Sequence, residues 1–338
     1  MYTSEVYIGY LGLGRIMVNE EILYFLKKRP GYVSGEDISG HLGISRAAVW
    51  KHIQELKDLD YDIAAVPHLG YELLSCPDRL FPWEIKYHLE SKFIAKDIHY
   101  YESLPSTMDK AMDLALSGAP EGALVLSEGQ TKGRGRMGRQ WQSPQYKGIY
   151  FSLIIKPKIL PQQASLFTLI SAVVICGVLK KHLGLEAQIK WPNDILVNNK
   201  KIAGILTELS AEMDIVHAII IGIGINVNNE KKSLPYASSS LRELTGNEVN
   251  RLSLLQSILR CFEEEYLRFQ KQGAKQILDD WRNLSATLGR RVRLSMSGMM
   301  PRITGEAVDI DHDGGLLVRQ DSGLIERVVS GDIIHCKR

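Results

Sequence analysis

The sequence predicts an α+β chain in three parts: an N-terminal winged helix-turn-helix, a central domain of paired strands with few helices, and a small C-terminal β-barrel. Three observations predict it. Three short amphipathic helical patterns between Glu20 and Leu59 run directly into two strand-like runs around a tight turn. Between Ser106 and Ile223 strand runs come in neighbouring groups instead of strict βαβ alternation. Beyond Leu288 the chain is strand-like again, with turns at Asp313-Gly314-Gly315 and Ser322-Gly323. A length of 338 residues suits two or three domains, and 45% hydrophobic with 24% charged residues excludes disorder, collagen-like repeats and coiled coil as readings of the whole.

From Glu20, the pattern Ile22, Leu23, Leu26 predicts a helix ended by Pro30, which cannot continue it, and Gly31, which accepts the reversed backbone. Residues Met1–Val18 read as a loose tail, and Met17 directly precedes the helical pattern, leaving Met1 and Met17 as alternative starts. Ser34 and Asp37 have the spacing of a capping-box variant and open a second helix, with Ile38 and Leu42 on one face before Gly43. Ser45 caps a third helix through Leu59, whose inward stripe is Val49, Ile53 and Leu56. Tyr61–Val66 and Tyr71–Leu74 form a wing around Pro67–Gly70. The third helix leaves Arg46, Ala47, Trp50, Lys51 and Gln54 outside. Such a helix fits the major groove, where Arg46 and Lys51 supply charge and Gln54 a two-way amide. With Ser45 these are the DNA-contact candidates, although small three-helix units also serve as protein-docking modules.

Pro77 to Pro82 is the joint, since two prolines bracket a stretch without period. Beyond it the patterns predict a helix from Ser106, strands around Leu124–Leu126 and Ile149–Ile155, and a long apolar helix Leu166–His182. Strands near Ile195–Leu196, Ala203–Leu209 and Val216–Ile223 follow, then helices Leu252–Lys271 and Ala274–Ser285. In the last part Val292 and Leu294 alternate and Gly305 reads as a break. Domain bounds of 18–76, 82–286 and 287–338 result.

The longest apolar run, Leu166–Leu179, has 14 residues with Thr168, Ser171 and Gly177 inside it, too short to span a bilayer, so it reads as a buried helix and no membrane is expected. The N-terminus lacks a basic-then-apolar block, which leaves the cytoplasm as the default. Cys76, Cys176, Cys261 and Cys336 lie at least 75 residues apart, which suggests neither a disulfide framework nor a metal knuckle. With 41 basic and 39 acidic residues, any nucleic-acid binding must be local.

Four segments carry chemistry. In Gln130–Trp141, Gly133, Gly135 and Gly138 match G-x-G-x-x-G, but Gln140, Gln142, Ser143 and Pro144 follow where a dinucleotide fold needs an apolar helix, so that reading is rejected. What remains is a flexible loop presenting Lys132, Arg134, Arg136 and Arg139, suited to closing around more than one anion. Lys190-Trp-Pro-Asn-Asp194 places a lysine at a strand end as a point charge for phosphate, followed by Lys201-Ile-Ala-Gly-Ile-Leu206; Pro192-Asn193-Asp194 is equally a plain turn. The glycines of Gly222–Asn228 mark close approach of a backbone or ligand. Ser106 caps a helix with Asp109 at the capping-box position, and Thr107 adds a hydroxyl at the positive helix end.

Taken in this order, the segments resemble the bifunctional biotin protein ligase and biotin operon repressor family over nearly the whole chain. Gly35–Gln54 looks like its helix-turn-helix, and Gly133–Arg139 with Lys190–Asp194 like its ligase signature. The resemblance implies a catalytic domain related to class II aminoacyl-tRNA synthetases, a C-terminal SH3-like barrel, and homodimers that bind a palindromic biotin operator when loaded with biotinyl-5′-AMP. It implies biotin and ATP as substrates, with Mg²⁺ entering through ATP. The acceptor it implies is a biotin carboxyl carrier domain of acetyl-CoA carboxylase or pyruvate carboxylase. It places Ser106, Thr107, Met108, Gln130, Gly133, Arg134, Gly135, Arg136, Lys190, Gly204 and Asn226 among the biotin and adenylate contacts, with Lys190, Arg134 and Arg136 as catalytic residues. Met108 stands where the family often has Asn, so a contact there is through backbone or packing. A lipoate ligase, a biotin sensor without ligase activity, and a ligase with a vestigial DNA-binding domain are the rivals. The Arg-Gly loop and the N-terminal unit argue against the first, and the intact loop with Lys190 against the second. Arg46, Lys51 and the wing argue against the third.

Overall fold

The computed structural model describes residues 13–212, 214–295 and 303–336. The chain divides into two compact units between Trp83 and Glu84.

The first unit contains α1 (Leu13–Lys27), α2 (Gly35–Leu42), α3 (Arg46–Asp58), β1 (Asp62–Val66) and β2 (Gly70–Ser75). Its caps follow the local sequence. Ser34 Oγ accepts from Asp37 N at 3.0 Å and Ser45 Oγ from Ala48 N at 3.2 Å, each taking up an N–H that has no partner inside the helix. Ile22, Leu23, Leu26, Ile38, Val49, Ile53 and Leu56 are buried together. The tail expected through Val18 is helical from Leu13; residues 1–12 lie outside the described residues. The wing strands pair antiparallel from Val66↔Gly70 outward, and Val33 exchanges two backbone hydrogen bonds with Tyr71, both 2.8 Å. Gly70 has φ 110° with its α-carbon against the Val33 carbonyl, so a β-carbon would overlap that backbone.

The second unit is built on a seven-stranded sheet in the order β3-β4-β5-β9-β8-β7-β6: β3 (Ile98–Tyr101), β4 (Leu124–Ser127), β5 (Gly148–Ile155), β6 (Gln188–Lys190), β7 (Asp194–Val197), β8 (Lys200–Glu212) and β9 (Ile215–Asn226). β3 and β4 are parallel, and every other neighbouring pair is antiparallel. All of β5 is buried, in keeping with its apolar sequence, which only Ser152 interrupts. Helix α4 (Thr107–Leu116) lays Met108 and Ala111 on Val125, Ile154 and Ile220. Helix α5 (Ser165–Leu183) packs against β6–β8 and against α6 (Arg251–Gln272) and α7 (Lys275–Leu284). With its lead-in turn, Pro161–Leu183 makes 23 residues, long and apolar enough to cross a bilayer by length and composition, more than the 14-residue run suggested. Leu166, Phe167, Ile170, Val174, Ile175 and Leu179 are buried around its circumference, the pattern of a central core helix.

The C-terminal strands β10 (Arg291–Ser295), β11 (Ile303–Ile310), β12 (Leu316–Gln320), β13 (Ile325–Val328) and β14 (Asp332–His335) form one antiparallel sheet in the order β13-β12-β11-β10-β14, with Val292, Leu294, Ala307, Val318 and Val328 buried. Strand β10 pairs with both β11 and the last strand β14, and the shared apolar face is the core of the small C-terminal domain expected from the sequence. Gly305 is not a break: it pairs with Gln320 inside β11, and a β-carbon there would overlap the Arg319 carbonyl. This sheet is tied to the rest of the unit through Trp191 Nε1, just after β6, which donates to Gly314 O at 3.1 Å, and through Arg282 Nε on α7, which donates to Asp309 Oδ1 at 2.7 Å.

Candidate active site

The Arg-Gly segment is a narrow hairpin between β4 and β5. Gln130 N donates to Ser143 O (3.1 Å), Trp141 N to Gly133 O (2.8 Å) and Gly135 N to Arg139 O (2.7 Å). A single tight turn, Arg136–Gly138, closes it. The glycine triplet therefore opens no α-helix, as a dinucleotide site would require. Gly133 lies inside the hairpin, where a β-carbon would come 2.5 Å from Trp141 O.

A cleft of about 630 Å³ opens beneath the hairpin. Thr107, Met108, Gln130, Arg134, Gly135, Arg136, Lys190, Gly204 and Asn226 all line it, and the C-terminal sheet supplies Gly331, Ile333 and Ile334. Gly133 and Ser106 do not reach the main cleft. Ser106 also fails as a side-chain cap. Its backbone occupies the N-cap position, but its Oγ is buried and has no hydrogen-bond partner among the described residues. The first N–H of the helix, Thr107 N, donates instead to Gln130 Oε1 at 2.8 Å, so a side chain of the hairpin takes up one of the free amides at this helix end. Thr107 Oγ1 donates to the same oxygen at 3.2 Å and accepts from Ser152 Oγ at 2.9 Å, while Gln130 Nε2 donates to Ser143 Oγ at 2.9 Å. This chain fixes the amide of Gln130 at the cleft. Asn226, buried, is held by its Nδ2 donating to Ser239 O at 3.2 Å.

Cations line the same cleft. Arg136 Nη1 donates to Asn193 Oδ1 and Gly331 O, both at 3.3 Å. Burial is the main cause that lowers its pKa; Asp194 opposes the shift and Arg139 adds to it. Lys190 is lowered by burial first, with Asp194 opposing and Lys201 and Arg139 adding. Its ammonium has no ion-pair or hydrogen-bond partner among the described residues. Lys201 Nζ sits 2.6 Å from Asp194 Oδ1. Several cations thus crowd one carboxylate, and an arriving anion relieves their mutual repulsion. Arg134, expected to face an anion, is ion-paired with Asp109 (2.9 Å) and Glu208 (2.8 Å) at the surface. His335, on β14, is lowered to about 4 by burial, then by Lys190 and Arg290.

Among the cleft residues not assigned a role from the sequence, Trp141 and Lys201 stand out. The signal for Trp141 lay in the glycines. Gly204 and Gly224 are register partners on β8 and β9, and β-carbons on them would come 3.0 Å and 2.5 Å from the indole. They form a flat floor for the ring, and Lys201 Nζ lies 5.3 Å from its centroid. Gly222 makes the same kind of room for Met108, whose thioether a β-carbon would overlap. Among the described residues no group of His, Cys, Asp and Glu is arranged to hold a metal. In the first unit Ser45, Arg46, Ala47, Trp50 and Lys51 are exposed on α3 and at its cap, while Gln54 is half-buried.

The Biotin/lipoate A/B protein ligase family matches residues 100–226, an HTH domain residues 19–72 and the Biotin protein ligase C terminal domain residues 287–336. The bifunctional ligase/repressor BirA of Bacillus subtilis (strain 168) is 39% identical over 307 residues, covering 89% of this chain and 93% of that protein. The chain belongs to the bifunctional biotin ligase/repressor family. The BirA of Escherichia coli (strain K12) is 31% identical over 303 residues, 89% of this chain and 92% of that one. The biotin protein ligase from Aquifex aeolicus, solved in complex with biotin and ATP, superposes with a TM-score of 0.61 at 29% identity, covering 72% of this chain and all of that one. The membership brings a biotin protein ligase and a DNA-binding domain into one chain, which disfavours both the lipoate ligase and the sensor without ligase activity.

Proposed function

We propose that the cleft activates biotin by letting its carboxylate attack the α-phosphate of ATP, releasing pyrophosphate, and then offers biotinyl-5′-AMP to a lysine of a biotin carboxyl carrier domain. The observation that carries this reading is that one cleft is lined both by the hydrogen-bonding groups of Thr107 and Gln130 and by the cations Arg136, Lys190 and Lys201. Two anions have to meet, and the unpaired ammonium of Lys190 is the group free to join them. Preorganised cations at the point where charge grows on the phosphorus oxygens lower the barrier without a covalent nucleophile. Lys201 exchanges Asp194 for phosphate, and Arg134 exchanges its two surface carboxylates. Asn193 orders Arg136, and Ser106, Met108, Gly135, Gly204 and Asn226 shape the biotin and adenylate contacts. Mg²⁺ enters with ATP, whose phosphate charge it offsets. The hairpin, ending at Arg136, covers the mixed anhydride and excludes water from it.

The same protein acts in the cytoplasm as the repressor of biotin genes. Adenylate-loaded homodimers place Ser45, Arg46, Ala47, Trp50, Lys51 and Gln54 of each α3 in successive major grooves of the operator. The domain bounds 18–76, 82–286 and 287–338 complete the reading. Incubation with biotin, MgATP and a carrier domain of acetyl-CoA carboxylase or pyruvate carboxylase should add one biotinyl mass to one carrier lysine. The Arg136→Gly variant should also release biotinyl-5′-AMP and label lysines at large. An unmodified carrier would overturn the transfer step, and operator affinity that does not rise with biotin and ATP would overturn the corepressor role.

A further inference from the structure

Helix α6 begins with an arginine, which is an unfavourable place for a cation because the helix dipole is positive there. Arg251 is moreover completely buried, and a buried guanidinium in such a place needs compensating partners. Its Nη1 donates to Glu128 Oε2 at 2.7 Å and to Gly148 O at 3.0 Å, with the Glu128 side chain equally inaccessible. Glu128 directly follows β4 and Gly148 begins β5, so one guanidinium ties both stems of the hairpin that carries Gln130, Arg136 and Trp141. The stems have little slack. Tyr146 N donates to Glu128 O at 3.1 Å, and a β-carbon on Gly129 would come 2.5 Å from Gln145 Cγ. Tyr100 OH lies 3.3 Å from the other Glu128 oxygen and shares its one proton between that oxygen and Glu102 Oε1 at 3.0 Å.

We propose that Arg251 is a positioning residue that pins the base of the hairpin and thereby sets how it covers the adenylate. It touches no reacting atom. The inference rests on the covering role given to the hairpin above. Without the pin, the groups of the cleft are all present but their cover swings on looser stems, so the intermediate escapes before transfer.

Hydrogen exchange of the full chain, with and without biotin and MgATP, tests this together with assay of biotinyl-5′-AMP released to solution. Two variants are needed. Arg251→Lys keeps the charge but not the fork, and the double variant Arg251→Met with Glu128→Met removes both charges together, which a buried pair tolerates better than loss of one. Amides of residues 130–146 should exchange about tenfold faster in both while those of β8 and β9 stay as in the wild type, and carrier transfer should fall by about 10- to 100-fold as adenylate leaks, the scale of an ångström-sized misplacement. Wild-type exchange in the hairpin together with a lowered unfolding midpoint would make Arg251 scaffolding and overturn the proposal. If biotin and MgATP add no protection to the hairpin in the wild type, the covering role itself fails, a result distinct from protection that both variants keep in full, which overturns the pin alone.

Discussion

Gly224→Ala is the sharpest perturbation of the cleft floor. Gly224 has an ordinary strand backbone, paired with Tyr150 and Gly204, so on backbone grounds alanine should stabilise the protein by about 0.4–1 kcal/mol. The new methyl, however, would stand 2.5 Å from both Cε2 and Nε1 of Trp141. Ordinary carbon contact begins near ~3.5 Å, so the ring has to retreat by about 1 Å. Overpacking of this kind costs about 1–3 kcal/mol where nothing yields. Trp141 is only half-buried, so it yields, and most of the cost is converted into a misplaced indole. The thermal midpoint should therefore move by only a few degrees, about 2–4 °C per kcal/mol in a chain of this size. Biotin-dependent adenylation should fall by about 10- to 100-fold, since an ångström at a substrate-positioning group costs that much. Gly204→Ala, whose methyl would stand 3.0 Å from the ring, should have the smaller effect. In a Trp141→Ala background the clash with the indole is gone, and the effect of Gly224→Ala should largely vanish. A Gly224→Ala protein that is both more stable and fully active, or that loses equal activity with and without Trp141, would refute the reasoning.

Lys190→Ala should lower adenylation by about 100- to 1,000-fold, the usual cost of removing one transition-state donor; single-turnover rates check it, and a loss below about tenfold would reduce Lys190 to scaffolding. His335 has a folded pKa of about 4 against 6.5 in the unfolded chain, so between those values the unfolded state binds more protons and stability falls as pH falls. His335→Gln should flatten the pH dependence of the thermal midpoint across that window, and an unchanged slope would contradict the assignment. Lys51→Ala should weaken operator binding and reduce the slope of log affinity against log salt by about one, measurable by titration at several salt concentrations.

Much of the fold was legible because its causes are local. The caps at Ser34 and Ser45, the stripe Val49, Ile53, Leu56 and the wing each depend on residues a few positions apart, and the structure places them as expected. Strand β3 was missed, since Ile98–Tyr101 is four residues with no alternation and pairs in parallel only after a helix has intervened. Helix α1 starts at Leu13 where composition suggested a tail. Gly305 looked like a break because its reason, the carbonyl of Arg319, comes from another strand. The cleft shows the same limit. Most of the residues named from sequence line it, but Ser106 makes no side-chain cap, the first amide of its helix is taken by Gln130 from the hairpin, and Arg134 is held by Asp109 and Glu208. Trp141 and Lys201 became visible only once Gly204 and Gly224 were found in register beneath the ring.

ATP–pyrophosphate exchange by the purified protein, compared with biotin, lipoate and no added acid, tests the central claim most directly. Exchange with biotin alone is the predicted result, and it should collapse in Lys190→Ala. Exchange with lipoate, or with no acid at all, would contradict the assignment of the cleft to biotin adenylation, and absence of exchange under every condition would leave a DNA-binding protein whose cleft does no such chemistry.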